Sequence, residues 1–201
     1  GWRALLNLGG IANLTLIPPS HGPDRKRPVL GWDCGPANSL IDLAMAAFSD
    51  GQERCDKDGG MAALGQVLEE PLRNWLREPY FLKRAPKSTG RELFGQKDLE
   101  RRLSELQLAC REDQMATLTA FSAAVVAQDL QHLSHLGLPL PAEMVVAGGG
   151  RRNQTLMREL QSRCRGLRVR PSDELDLPCE SREALVFALL AWWHDRNHPG
   201  N

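Results

Sequence analysis

The second half of the sequence alternates short apolar runs with stretches of helical spacing, and this alternation restricts the fold more than any other feature. Residues 143–147 read as a strand, about 153–164 as a helix, 167–170 as a strand and about 180–194 as a helix, the pattern of an α/β sheet. Near the start, apolar runs at 5–8 and 13–17 flank Gly9-Gly10 and read as a hairpin, which makes the sheet mixed. The middle holds a strand through about Trp32, a helix from near Asn38 to Phe48 and a helical stretch over 61–77 kinked or split at Pro71. A long helix over about 112–136 follows, stopped by Gly137 and Pro139. Segments 18–28, 49–60 and 85–94 are polar or rich in Pro and Gly and read as loops. The last helix carries Ala184, Phe187, Leu190 and Ala191 on one side, the face expected against the core.

With 201 residues, 42% of them hydrophobic and 25% charged, the chain can bury an ordinary core. Lys plus Arg and Asp plus Glu balance at 25 each, so no net field draws nucleic acid or an anionic membrane, and a small-molecule partner fits better. No signal peptide opens the chain, and no apolar run reaches the roughly 20 residues of a membrane span. Cys34, Cys55, Cys110, Cys164 and Cys179 are odd in number and widely spaced, with no CxxC pair. They point to reduced thiols in a cytoplasmic protein rather than to disulfides or zinc. The sequence opens on strand material and stops on loop residues, as expected of a segment of something longer.

Three stretches carry candidate chemistry. Gly148, Gly149 and Gly150 end an apolar strand and precede a helix that Asn153 is placed to cap. Backbone without Cβ atoms, followed by a helix N-terminus, can lie close to an anionic ligand, but the stretch is neither GxGxxG nor a P-loop. Read alone, it is equally a tight strand-to-helix turn with nothing bound. Gly9-Gly10 between Asn7 and Asn13 is a second such turn, with the same two readings. Asp33 closes a strand ahead of a Gly-Pro turn, where it either holds the loop together or serves as an outer-sphere magnesium ligand, and Asn38 is placed to cap the next helix. The loop "KSTGRE" offers Lys87, Ser88, Thr89, Arg91 and Glu92 as a polar clamp or as a solvated surface, and Glu183 begins the last helix. The histidines have no carboxylate or cysteine partners in sequence and read as surface residues.

The order of these pieces is more specific than any one of them. "LLNLGGIANLTLI", "GWDCGPANSLID", "CDKDGG", "PYFLKRAPKSTGRELF", "DQMATLTAFSAAVV", "VVAGGGRRNQTLM" and "EALVFALLAWW" follow one another as in the anhydro-N-acetylmuramic acid kinase family, which the chain resembles from about Leu5 to Trp193. The resemblance implies a ribonuclease-H-like α/β lobe of the hexokinase–actin type, one of two that clasp ATP. It implies phosphorylation of 1,6-anhydro-N-acetylmuramic acid to N-acetylmuramic acid 6-phosphate with hydrolytic opening of the anhydro ring, in peptidoglycan recycling. ATP, Mg2+ and the sugar are then the partners, in the cytoplasm, with a homodimer kept open.

On the same resemblance Gly9, Gly10 and Asn13 form a phosphate-binding turn, and Gly148, Gly149, Gly150 and Asn153 form the adenosine loop. Asp33, Gly35 and Asn38 match the family's DTGPGN motif near the phosphates, with Asp33 as the outer-sphere metal ligand. Lys87, Ser88, Thr89 and Glu92 match KSTGRE and, with Glu183 from the motif MEALAF, are expected to hold the sugar. Cys34 and Ala37 depart from that pattern, where the family has threonine and glycine, so a hydroxyl near the phosphates is expected to be lost. The family's first phosphate loop and catalytic aspartate match nothing here and are expected upstream of Gly1. Residues 1–201 then represent the carboxy-terminal lobe, inactive by itself. The rival readings are a non-catalytic nucleotide-binding lobe and another sugar kinase of the superfamily.

Overall fold

The computed structural model describes residues 1–175 and 182–199, with the side chains of 136, 182 and 183 outside that description. One mixed sheet organises it. Strands β1 (Arg3–Leu8), β2 (Ile11–Ile17) and β3 (Leu30–Pro36) form an antiparallel meander, and β4 (Glu143–Ala147) and β5 (Arg168–Pro171) extend it in parallel on the far side of β1. The order is β3-β2-β1-β4-β5, the mixed α/β sheet expected.

Alternation in β1 and β2 buries Ala4, Leu6, Leu8, Ala12, Leu14 and Leu16 on one face. In β4 every residue from Met144 to Ala147 is buried, as expected for a parallel strand covered on both faces. In β3 the same period turns Trp32 and Cys34 inward and leaves Asp33 on the other side. A register shift between Ala12 and Asn13 bends β2 where it pairs with Asp33.

Helix α1 (Asn38–Phe48) follows β3 directly. The stretch expected as a helix over 61–77 is a single 3-10 turn at Ala62–Leu64 and a short α2 (Glu69–Trp75), with Pro71 tolerated in the first turn because an N–H there has no intrahelical acceptor. α3 (Gln96–Glu105) was not expected. It is predominantly polar, yet Leu99, Leu103 and Leu106 recur at helical spacing and pack on the core, a signal present in the sequence.

The long helix is α4 (Arg111–Gln131), continued as a 3-10 turn to Leu136. Nearly every residue from Met115 to Ala127 is buried, against α1, α5, β3 and the 62–64 turn. A helix apolar or small on all sides belongs inside a fold. Ser122 donates to the Ala37 carbonyl at 2.9 Å and Thr117 to the Asp113 carbonyl at 2.7 Å, while the buried Thr119 hydroxyl has no partner among the described residues. α5 (Gln154–Arg163) links β4 to β5. In α6 (Arg182–Asp195) the structure departs from the amphipathic reading: Ala184, Phe187 and Ala191 are exposed and Leu190 is half-buried. The expected core face of that helix does not meet the core. Among the described residues no helix is long and apolar enough to cross a membrane, and Cys34, Cys55, Cys110 and Cys164 are free thiols.

Candidate functional site

The two glycine turns meet at the start of α1. Gly9-Gly10 closes the β1–β2 hairpin, and its carbonyls are taken by α1: Asn38 N–H donates to Gly9, and Ala37 and Ser39 N–H donate to Gly10, all near 3.0 Å. The Asn38 side chain donates Nδ2 to the Leu8 and Gly9 carbonyls at 3.1 and 2.9 Å. It does not cap α1 as expected, because Ala37 occupies the cap position and Asn38 is the first helical residue.

The second turn packs on the first. Gly148 has φ +85, and a Cβ there would lie 2.6 Å from the Leu8 carbonyl oxygen. A Cβ on Gly150 would lie 2.7 Å from Leu8 Cβ and 3.1 Å from Asn38 Nδ2. Gly149 between them has nothing within 4 Å of that position. Two glycines are therefore required by packing, and the third fronts open space. Asn153 caps α5 as expected, accepting from Leu156 N–H at 2.9 Å.

That open space is a cavity of about 490 Å3, within the range of small-molecule sites. Gly149, Gly150 and Asn153 form one wall, Asn38, Ile41 and Asp42 of α1 a second, and residues 55–58 a third. The third wall is the "CDKDGG" stretch, to which the sequence reading gave no role. It is clamped in place: Asp56 accepts from Met61 and Ala62 N–H at 2.8 and 3.0 Å, and Thr155 donates to the Gly59 carbonyl at 2.9 Å.

Asp42 is half-buried, and among the described residues no side chain or backbone N–H donates to it. Its pKa is pushed up to about 6 by burial, with the charge of Arg91 opposing. The Arg91 guanidinium in turn stands over the Gly9-Gly10 turn, 3.4 Å from where a Cβ on Gly10 would be. The sequence places Arg91 in the KSTGRE clamp rather than over the Gly9-Gly10 turn, and gives Asp42 no role.

A second cluster surrounds Asp33. Its Oδ1 accepts from Asn13 Nδ2 at 2.9 Å, and its Oδ2 accepts from Ser88 Oγ and Thr89 N–H, both at 3.0 Å. Its own N–H donates to the Lys87 carbonyl at 2.9 Å, and Tyr80 donates its hydroxyl to the Asp33 carbonyl at 2.7 Å. Asp33 thus ties the β2 bulge to the KSTGRE loop. A carboxylate offers about four lone-pair positions, so three donors leave room for one more.

Lys87, expected at the sugar, is withdrawn from the surface: its Nζ meets Asp129 Oδ1 of α4 at 2.8 Å. Asp129 also accepts from Trp32 Nε1 at 3.0 Å and from the Cys34 thiol. The Asp129 pKa is raised because burial outweighs the favourable charge of Lys87, and the Cys34 thiol is pushed well up, chiefly by burial. The side chain at 34 therefore serves this internal network, and the replacement of threonine by cysteine takes no hydroxyl from the glycine turns. Gly35 is likewise internal, since a Cβ there would lie 2.7 Å from the Phe81 ring. Glu92 is exposed beside Gly90, and the Glu183 side chain lies outside the described residues.

The sequence model of the anhydro-N-acetylmuramic acid kinase family matches residues 1–201. The chain belongs to this family. It is 67% identical over 201 residues to the anhydro-N-acetylmuramic acid kinase of Synechococcus sp. (strain WH7803), covering all of this chain and 52% of the relative. It is 68% identical to that of Synechococcus sp. (strain CC9311), with the same coverage. The chain spans about half the length of the curated relatives it matches. Among solved structures, the activator of the 2-hydroxyisocaproyl-CoA dehydratase from Clostridium difficile, determined with bound ADPNP, matches with a TM-score of 0.47 at 18% identity. That match covers 85% of this chain and 54% of the activator.

Proposed function

We propose that this chain is the nucleotide-holding, carboxy-terminal lobe of an ATP-dependent anhydro-N-acetylmuramic acid kinase. The observation that carries the reading is the convergence of both glycine turns on the start of α1, beside a cavity that Gly149 leaves open. The carbonyls of Gly9-Gly10 are spent on α1, so what that turn offers a ligand is N–H, suited to phosphate oxygens. Gly9, Gly10, Asn13, Asp33, Gly35 and Asn38 surround the phosphates on this reading, with Gly35 acting through the fold of the turn. Gly148, Gly149, Gly150 and Asn153 border the nucleoside.

Among the described residues no group of three or more His, Cys, Asp or Glu is gathered to bind a metal directly. Asp33, with three donors already bound, fits a carboxylate that accepts from a metal-bound water. Mg2+ would supply charge neutralisation of the phosphates, and Asp33 would orient its hydration shell. Ser88 and Thr89 hold Asp33, while Glu92 and Glu183 are left for the sugar.

In the reaction water adds to the anomeric carbon as the bond to O6 breaks. O6 takes the γ-phosphoryl group, ADP leaves, and a carboxylate base receives the water's proton. That base belongs to the part of the kinase beyond this chain, and catalysis here is positioning and electrostatics. The test is turnover of 1,6-anhydro-N-acetylmuramic acid and ATP by the full-length protein, with N-acetylmuramic acid 6-phosphate as product. ATP binding without turnover of any sugar indicates a non-catalytic lobe, and turnover of simple hexoses in its place indicates another sugar kinase.

A further inference from the structure

We infer that Asp42 reads the nucleotide, its carboxylate accepting hydrogen bonds from the two ribose hydroxyls. This rests on the nucleotide reading above and adds a residue to it. Asp42 lies four residues after Asn38 on α1, on the same face and about 6 Å further along the helix axis. Asn38 is bonded to the Gly9-Gly10 turn. A nucleotide with its phosphates at that turn and its body in the cavity therefore brings its sugar to the level of Asp42.

The chemistry of the cavity wall selects the same residue. Three carboxylates line the cavity: Asp42, Asp56 and Asp58. Asp56 is buried with both oxygens engaged by Met61 and Ala62 N–H, so it holds its own loop. Asp58 is exposed, and water solvates its charge. Asp42 is half out of water and receives no hydrogen bond among the described residues. A carboxylate in that state costs stability until donors reach it, and such groups in clefts mark binding sites.

A phosphate is repelled by Asp42, so the part of the ligand beside it must be neutral and carry donors. A vicinal diol fits both carboxylate oxygens at once. Arg91, whose charge acts on Asp42, stands at the phosphate end over Gly10, and Lys57 and Arg152 also line the cavity.

The test uses the full-length kinase with Asp42→Ala and the isosteric Asp42→Asn, and ATP, 2′-deoxy-ATP and 3′-deoxy-ATP as probes. The wild type is expected to bind ATP at least about tenfold more tightly than either deoxynucleotide. D42A should raise the KM for ATP by about tenfold or more, leave kcat within a few-fold, and make the three nucleotides nearly equivalent. D42N carries the same comparison if D42A does not fold. Equal loss on all three nucleotides, or a wild type indifferent to the ribose hydroxyls, overturns the assignment. A wild type that binds no ATP overturns it together with the kinase reading; one that binds ATP without discriminating overturns this inference alone.

Discussion

Lys87 Nζ lies 2.8 Å from Asp129 Oδ1, with side-chain exposures of only 3% and 5%. The pair is separated by 42 residues in sequence, and it pins the KSTGRE loop to α4 directly beneath the strand that carries Asp33. Buried ion pairs are poor net stabilisers, but removing one partner strands the other charge. Lys87→Met should therefore cost about 3–5 kcal/mol, read as a lowered urea midpoint. K87M combined with Asp129→Leu should recover most of that loss. A single-variant cost below about 1 kcal/mol would mean that the pair is not out of water.

The glycine triplet separates folding from binding. Gly148→Ala places a Cβ against the Leu8 carbonyl at positive φ and should lose several kcal/mol of stability, of the order seen for strained or overpacked sites. In Gly149→Val the Cβ has nothing within 4 Å, so stability should stay within about 1 kcal/mol of wild type. Its ATP affinity, measured by titration calorimetry, should nevertheless fall by about tenfold or more. Wild-type affinity in G149V would remove the nucleotide from this cavity.

Asp42 gives a pH-dependent signature. Its folded pKa is pushed up to about 6, above the ordinary carboxylate value near 4, so the native state holds its proton more tightly than the unfolded chain. The stability it contributes is present below about pH 4 and is lost as pH rises toward 6. Arg91 opposes the shift, and the other charged groups that line hollows with Asp42 are Asp56, Lys57, Asp58, Arg152 and Arg54. Asp42→Asn should then raise Tm at pH 8 and leave it nearly unchanged at pH 4. The same increment at both pH values would show that the carboxylate is well solvated.

Cys34→Thr tests the direction of a side chain. Because residue 34 is buried and bonded to Asp129, a hydroxyl there should serve the same acceptor. ATP KM should move less than about twofold, since nothing at 34 borders the cavity. A larger change would place the residue at the nucleotide.

What was legible in the sequence is local. Gly9-Gly10 as a hairpin turn, Asn153 as a cap and the strand-to-helix junction at Gly148 depend on residues within a few positions of one another. Lys87 misled because a lysine between hydroxyl residues reads as a solvent-facing group, and its partner sits on a helix whose apolar period says nothing about one buried aspartate. Asp42 was invisible for the converse reason. An acidic residue on an amphipathic helix is ordinary until residues 55–58 and Gly149 close a cavity around it. In α6 residues 184–193 are apolar or small on every side, so their spacing names no face.

That last helix has a practical outcome. It presents Leu185, Val186, Phe187, Leu189 and Trp192 to water, on a chain whose formal charge sums to zero. Prepared without the rest of the kinase, residues 1–201 carry that face uncovered among the described residues and no net charge to keep copies apart, so concentrated preparations of this segment should cloud near neutral pH. An acidic residue grafted at Phe187 is the shortest route to a clear solution.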